Sequence, residues 1–138
     1  MAKTRTFIDA GVLIAAARGT HELAERALEV LDDPNRDYVT SDFVRLEVLP
    51  KAVFNRKEAE AEFYRTFFDD ARRTIKSSST LVAEAQAEAD IRGLSAVDAL
   101  HVAAAKRAGC AEFLTTEKAT KPLFSVSHLT VTSIRSDA

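Results

Sequence analysis

Cysteine is almost absent from this 138-residue sequence, and its scarcity excludes two kinds of architecture. The single Cys110 cannot form a disulfide within the chain, nor can it build a zinc site that needs several cysteines. This usage suits a reducing cytosol, so we expect a cytoplasmic protein. Long apolar runs are also missing. No stretch approaches the roughly 18 consecutive apolar residues that span a bilayer, and we expect neither a membrane segment nor a signal peptide.

Charge of one sign is not in excess either, since the formal net charge is only −2. Such a chain has no overall attraction to a polyanion, so any contact with nucleic acid must depend on a local basic patch. Hydrophobic residues, in contrast, make up 46% of the sequence. Together with the length, this predicts a single domain over 1–138 with one packed core.

Short apolar strands alternate with helices along the chain. The pattern predicts strands at 3–9, 37–40, 112–116 and 128–134, with a short edge strand at 74–78. It predicts helices at 11–18, 22–32, 42–50, 56–72, 80–92 and 96–108, of which 56–72 is the longest, and a helical turn at 117–121. This alternation is typical of an α/β fold with a parallel, doubly wound sheet.

The stretch 6–17 is the element around which the rest of the chain is organised. A buried strand ends at Asp9, turns at Gly11 and continues into an apolar helix. An acid between two apolar segments must be neutralised, paired or bound to a cation, and ligands of open α/β sheets bind at the carboxyl ends of the strands. The alternative use of Asp9 is to cap the helix that follows it.

Glu47 lies in the helix after the second strand. Its spacing from Phe43 and Leu46 predicts that it shares their inward-facing stripe. The alternative is a half-exposed glutamate that pairs with Arg45 or Lys51.

Two further acids follow the later strands. Asp98 lies in the first turn of a helix that is apolar on all sides and therefore buried, although its spacing from Ser95 also fits a capping box. Glu117 follows the strand that ends in Thr115 and Thr116, where a helix dipole alone could also stabilise it.

The carboxyl ends of parallel strands meet at one edge of a sheet, so Asp9, Glu47, Asp98 and Glu117 are expected to converge. Converging carboxylates repel and raise each other's pKa, and a divalent cation relieves that repulsion. Oxygen ligands favour Mg²⁺ or Mn²⁺ over zinc. Such an ion activates water and neutralises charge on a phosphoryl group, which predicts phosphodiester hydrolysis or phosphoryl transfer.

With these segments in this order, the sequence resembles the PIN-domain nucleases, and among them the small VapC-type toxins of toxin–antitoxin modules. The matching segments are Phe7-Ile8-Asp9 with Val12-Leu13, then Glu47-Val48-Leu49, 95–105 and 114–118. The resemblance implies a three-layer α/β/α fold with a central, mostly parallel sheet. It also implies an Mg²⁺- or Mn²⁺-dependent endoribonuclease that cleaves single-stranded RNA, commonly a homodimer with an antitoxin partner. Carried over, Asp9, Glu47, Asp98 and Glu117 would be both the catalytic residues and the metal ligands.

The sequence departs from the family's pattern in two places. Ala10 and Gly11 stand where the family usually has Thr or Ser followed by Asn or Ser, and Glu117 stands where it usually has Asp. The first change removes polar groups that could fix water or the first carboxylate. A PIN module that binds RNA or a protein without cleaving therefore remains open. A phosphotransfer domain built on Asp9 is the other alternative, although Asp9-Ala10-Gly11 lacks the second acid that such domains usually have.

Three residues beside the acids are predicted to bind substrate. Thr115 and Thr116 supply hydroxyls, and Lys118 supplies a cation where a phosphate backbone could run. His101 is interpreted as a packed histidine one turn past Asp98, and Cys110 as a structural residue. One aromatic stripe is interpreted mainly as core, with room for a dimer or antitoxin groove: Phe54, Phe63, Tyr64, Phe67 and Phe68.

Overall fold

The computed structural model describes residues 2–136, in which strands and helices alternate as the sequence predicts. The strands are β1 Thr4–Ile8, β2 Arg36–Ser41, β3 Arg73–Ile75, β4 Glu112–Thr115 and β5 Thr130–Ser133. The helices are α1 Ala10–Arg18, α2 His21–Leu31, α3 Asp42–Phe54, α4 Glu58–Asp70, α5 Ser79–Arg92 and α6 Ala96–Arg107, with a short 3-10 helix at Pro122–Ser125.

The strands form one sheet in the order β3-β2-β1-β4-β5, and every neighbouring pair is parallel. All carboxyl ends therefore lie at one edge. The central strand β1 pairs with β4 so that Ile8 lies opposite Leu114. The residues that follow this pair, Asp9 and Thr115, consequently lie side by side at the sheet edge.

The core forms because apolar strand residues are covered by helices. Phe7 and Ile8 of β1 are fully buried, and the Phe7 ring stacks on Phe113 of β4 at a centroid distance of 5.1 Å. Five parallel strands flanked by helices confirm the predicted three-layer α/β/α class. None of the helices described over 2–136 has the length and apolarity needed to cross a bilayer.

Helices α3 and α4 differ from the predictions in three respects. Helix α3 continues past Pro50 to Phe54; a proline at this position removes the N–H that would otherwise bond the carbonyl of Leu46, a residue on the exposed face of the helix. Arg56 has a left-handed backbone (φ 56°), which ends α3 and delays the start of α4. Helix α4 has 13 residues and α5 has 14, so the prediction that 56–72 is the longest helix was wrong.

Two more local predictions were wrong. Leu46 is 69% exposed rather than inward-facing, because α3 buries the stripe of Val44 and Val48 instead. The helical turn predicted at 117–121 lies at Pro122–Ser125. Proline favours this first helical position because its fixed φ suits a helix and its missing N–H would have no helical partner there.

Candidate metal centre

Asp9 lies at the junction between the central strand and α1, and its two carboxylate oxygens have separate partners. Oδ1 accepts a hydrogen bond of 2.8 Å from the backbone N–H of Ala10, and Oδ2 accepts one of 2.8 Å from the hydroxyl of Thr115. Asp9 is the N-cap of α1 and is only 8% exposed. Asp9 can therefore cap α1 and also contribute its carboxylate to a ligand site.

Glu47 and His101 complete a compact cluster with Asp9. Nε2 of His101 lies 2.5 Å from Oε1 of Glu47 and 3.8 Å from Oδ1 of Asp9. The imidazole is buried beside the Phe7 ring, whereas the Glu47 side chain is 38% exposed. Candidate ligand atoms of the three side chains all lie within 4.8 Å of one another. Such a spacing would allow them to hold one metal ion.

The electrostatics of the cluster favour a cation. Burial raises the pKa of the Asp9 carboxyl above its ordinary value, and the nearby charges of Asp98 and Glu47 raise it further. His101 and the hydrogen bond from Thr115 act in the opposite direction. Negative charge is therefore concentrated around a carboxylate that is poorly solvated, and a bound divalent ion would relieve the repulsion. The residues present fit such an ion.

Asp98 lies in the first turn of α6, near enough for its charge to raise the pKa of the Asp9 carboxyl, but it is not one of the three side chains of the compact cluster. Its backbone N–H donates to the hydroxyl of Ser95 at 3.3 Å, so Ser95 is the cap of this helix. The reciprocal half of a capping box is missing, because within residues 2–136 the Asp98 carboxylate accepts no hydrogen bond. The carboxylate is thus not used for capping, and it contributes its charge to the centre.

Glu117 is linked to Asp9 through its backbone and the hydroxyl of Thr115, and its carboxylate is not among the three side chains of the compact cluster. The backbone N–H of Glu117 donates to Oγ1 of Thr115 at 3.1 Å, and Thr115 itself is fully buried. Thr116 is half-buried beside Gly11, where an added Cβ would lie 2.2 Å from the Thr116 hydroxyl oxygen. The absence of a side chain at Gly11 therefore leaves the space that the Thr116 hydroxyl occupies. Lys118, two residues further along, is exposed.

His101 is the member of the cluster that sequence reasoning missed. Its burial was expected, but its position between Asp9 and Glu47 was not. A signal was available, because Asp98 and His101 are three residues apart and therefore share one face of α6. Cys110 is buried outside the cluster, and burial raises the pKa of its thiol to about 12, which fits a structural residue rather than a nucleophile.

Comparison with known proteins identifies the family. A model of the PIN domain matches residues 6–121, a range that contains all four acids. The chain belongs to the PIN-domain family. No curated protein matches this PIN domain significantly.

Solved structures share the fold of this PIN domain at low sequence identity. VapBC2 from Rickettsia felis, bound to a promoter DNA fragment, has a TM-score of 0.70 at 15% identity, with 94% of this chain and 98% of that chain covered. A toxin–antitoxin complex from Klebsiella pneumoniae has a TM-score of 0.69 at 22% identity, with 94% and 98% covered. VapC20 from Mycobacterium tuberculosis, described as a sarcin–ricin loop cleaving toxin, has a TM-score of 0.61 at 19% identity, with 78% and 86% covered.

Proposed function

We propose that this PIN domain is a cytoplasmic, metal-dependent endoribonuclease of the VapC toxin type, which hydrolyses phosphodiester bonds in single-stranded RNA. The observation that carries the proposal is the contact of the buried Asp9 with Glu47 and His101 at the carboxyl edge of a parallel sheet. PIN domains are nucleases. RNA as the substrate class is supported by the similarity to VapC20, whose own description is that of an RNA-cleaving toxin.

The metal in this proposal is Mg²⁺ or Mn²⁺, held by Asp9, Glu47 and Asp98, with Glu117 as the fourth acid. When bound, such an ion supplies charge neutralisation at the phosphate and activation of water. Carboxylate ligands match both metals, since Mg²⁺ and Mn²⁺ are ions that bind well to carboxylate, carbonyl and water oxygens.

The protein's own contribution is to hold these carboxylates in place before substrate arrives. Two hydrogen bonds fix the Asp9 carboxylate, and the imidazole of His101 lies against Glu47. Fixed ligands cost little reorganisation when charge develops on the phosphate. Thr116, which lies close to Gly11, and the exposed Lys118 would supply a hydroxyl and a cation to position the RNA backbone.

We also propose an antitoxin partner and a homodimer. Structures similar to this chain include the VapBC complexes of Rickettsia felis and Salmonella typhimurium, both of which are bound to DNA. Helix α3 of this chain carries apolar side chains that are exposed, with Phe54 at 85% and Leu46 at 69%. A protein partner would bury them, and sedimentation of the purified chain, with and without the product of the adjacent reading frame, tests both assemblies.

Cleavage of defined RNA tests the nuclease function. Wild-type protein, Asp9→Asn and Asp98→Asn are incubated with single-stranded RNA, the same RNA as a duplex, and single-stranded DNA, in Mg²⁺, Mn²⁺ or chelator. We expect metal-dependent cleavage of single-stranded RNA by the wild type and its loss in both variants, with Asp90→Asn, an exposed acid on α5, as the matched control. Full activity in chelator, or in the double variant Asp9→Asn/Asp98→Asn, would contradict the proposal.

The second candidate is a PIN module that binds RNA without cleaving it. It is favoured by Ala10 and Gly11, which provide no polar side chain next to Asp9. This function predicts RNA binding without cleavage in either metal, and Mn²⁺ binding no tighter than that of Asp98→Asn.

A further inference from the structure

His101 presents one ring nitrogen to the acidic centre and leaves the other without a partner. Nε2 lies 2.5 Å from Oε1 of Glu47, while Nδ1 is buried and has no hydrogen-bond partner among residues 2–136. The ring packs against Phe7 at a centroid distance of 5.7 Å. Because the two nitrogens have such different surroundings, the position of the imidazole proton follows from the geometry.

The two neutral tautomers differ in what they leave unsatisfied. A proton on Nδ1 places a buried N–H donor where it has no acceptor, and it also directs the Nε2 lone pair at a carboxylate oxygen only 2.5 Å away. A proton on Nε2 donates to Glu47 and leaves only an acceptor lone pair on Nδ1. Buried N–H donors without partners are rarer than under-satisfied acceptors. Of the two neutral tautomers, the Nε2–H form therefore has the fewer defects.

The same unpaired Nδ1 bears on metal ligation. Histidines that bind metals almost always donate their second ring N–H to a carboxylate, a carbonyl or water, which fixes the ring and makes the ligating nitrogen a better donor. Among the described residues, His101 has no such acceptor. Proximity to Asp9 and Glu47 alone would make His101 a third ligand, but among the described residues its second nitrogen lacks the carboxylate or carbonyl that usually supports ligation.

We propose that His101 is a positioning residue that donates from Nε2–H to Glu47 and is not itself a metal ligand. The Nε2–H group then holds Glu47 through Oε1, and Oε2 remains able to bind the ion. The ligands of the centre are in that case all oxygen atoms. An all-oxygen centre selects Mg²⁺ and Mn²⁺ over metals such as Zn²⁺ and Ni²⁺ that prefer nitrogen. The consequence for catalysis rests on the proposed nuclease function, whereas the tautomer and the ligand set do not.

Nitrogen NMR of the full-length, ¹⁵N-labelled protein without metal tests the tautomer directly. We expect the resonance of His101 Nε2 to be that of a protonated ring nitrogen and Nδ1 to be that of an unprotonated one. His21 and His128, which are exposed, provide internal references, and His101→Gln assigns the signal by its loss. A proton found on Nδ1, with Nε2 unprotonated, would overturn the proposal.

Pulsed electron paramagnetic resonance of bound Mn²⁺ tests the ligand set without any assay of activity. We expect no coupling of the manganese to an imidazole nitrogen in the wild-type protein. A directly coupled nitrogen that disappears in His101→Gln would show that His101 is a ligand and would overturn the proposal.

Variants separate positioning from ligation. His101→Gln keeps an N–H donor near the place of Nε2, whereas His101→Leu removes it. Loss of an outer-shell partner typically weakens metal binding about 10- to 100-fold, so we expect His101→Leu to lose Mn²⁺ affinity in that range and His101→Gln to retain most of it. His128→Asn is the control for an imidazole remote from the centre, and its affinity should be unchanged.

The outcomes distinguish this inference from the proposed function. Equal losses of Mn²⁺ affinity in His101→Gln and His101→Leu contradict the positioning role of His101 while leaving the nuclease proposal intact. Wild-type protein that binds Mn²⁺ tightly and cleaves nothing contradicts the nuclease alone. A wild-type protein that binds no Mn²⁺ contradicts both.

Discussion

The hydroxyl of Thr115 donates a hydrogen bond of 2.8 Å to Oδ2 of Asp9, and its oxygen accepts one of 3.1 Å from the backbone N–H of Glu117. One fully buried side chain thus joins the first acid of the centre to the segment that carries the fourth. The parallel register of β1 and β4 makes this contact possible, because it aligns the two strand ends.

Replacing Thr115 with Val keeps the shape of the side chain and removes both hydrogen bonds. We expect the free energy of unfolding to fall by about 1–3 kcal/mol, the usual cost of leaving buried polar groups unpaired. We also expect weaker Mn²⁺ binding, because the Asp9 carboxylate loses one of its two anchors. Urea unfolding and calorimetric titration measure these effects. Thr115→Ser, which keeps the hydroxyl, should lose much less, and equal losses in the two variants would contradict the role of the hydroxyl.

Asp9→Asn should change how stability depends on pH in the absence of metal. Because the folded state raises the pKa of Asp9 above its ordinary value of 3.8, the unfolded chain releases its proton first as the pH rises. The wild-type protein therefore loses stability between that value and the raised folded pKa, and the loss persists at neutral pH. The variant lacks this loss, so in chelator we expect it to be the more stable protein at neutral pH.

Urea unfolding at a series of pH values, from below 3.8 to neutral, measures the difference. Below the ordinary pKa both states of the wild type are protonated, and the advantage of the variant should disappear. Added Mn²⁺ should stabilise the wild type and not the variant. A variant that is less stable than the wild type at neutral pH in chelator would contradict the loss of stability that we assign to the ionised Asp9 carboxylate.

Gly11→Ala tests the close approach of Thr116. The added Cβ would lie 2.2 Å from the Thr116 hydroxyl oxygen, so something must move. We expect a loss of about 1–3 kcal/mol in unfolding free energy, as for other overpacked sites. In a Thr116→Ala background the obstacle is gone, and the same change should be neutral or stabilising, because alanine is the better helix former. Additive effects in this double-mutant cycle would refute the contact.

Glu112 provides a control at the opposite end of the sheet. Its carboxylate accepts hydrogen bonds from Nε and a terminal nitrogen of Arg36 and from the hydroxyl of Thr6. Glu112→Gln should lower the unfolding free energy by about 1.5–3 kcal/mol, the usual contribution of hydrogen bonds to a charged group. Mn²⁺ affinity should not change, since the metal centre is at the carboxyl edge. An affinity that falls together with stability would show that loss of stability alone can mimic a site defect.

The elements that form the centre could be predicted from local sequence, because their signals are local. The apolar Phe7 and Ile8 before an acid predict the end of β1, and Ser95 predicts the start of α6. What local patterns do not contain is the order of the strands. His101 reaches Asp9 because α6 packs so that the imidazole lies beside the Phe7 ring of the central strand, and periodicity cannot distinguish that packing from burial elsewhere in the core.

Helix α3 shows a second limit of sequence reasoning. The apolar Leu46 suggested the wrong buried stripe, although Glu47 still reaches the centre. Exposed apolar residues such as Phe54 make a second face of α3 look hydrophobic in the sequence, although the fold leaves that face exposed. The rotation of such a helix about its axis is therefore ambiguous from one sequence, because hydrophobic periodicity does not separate a core from a surface that a partner would cover.

The bond between Thr115 and Asp9 joins positions 106 residues apart in the chain. A polypeptide that is still being translated cannot form it until the β4 segment has left the ribosome. The Asp9–Thr115 pair is thus assembled only after the chain has been synthesised through β4. Under the proposed nuclease function, the nascent chain would lack this contact of the active site, and hence full activity, until that point.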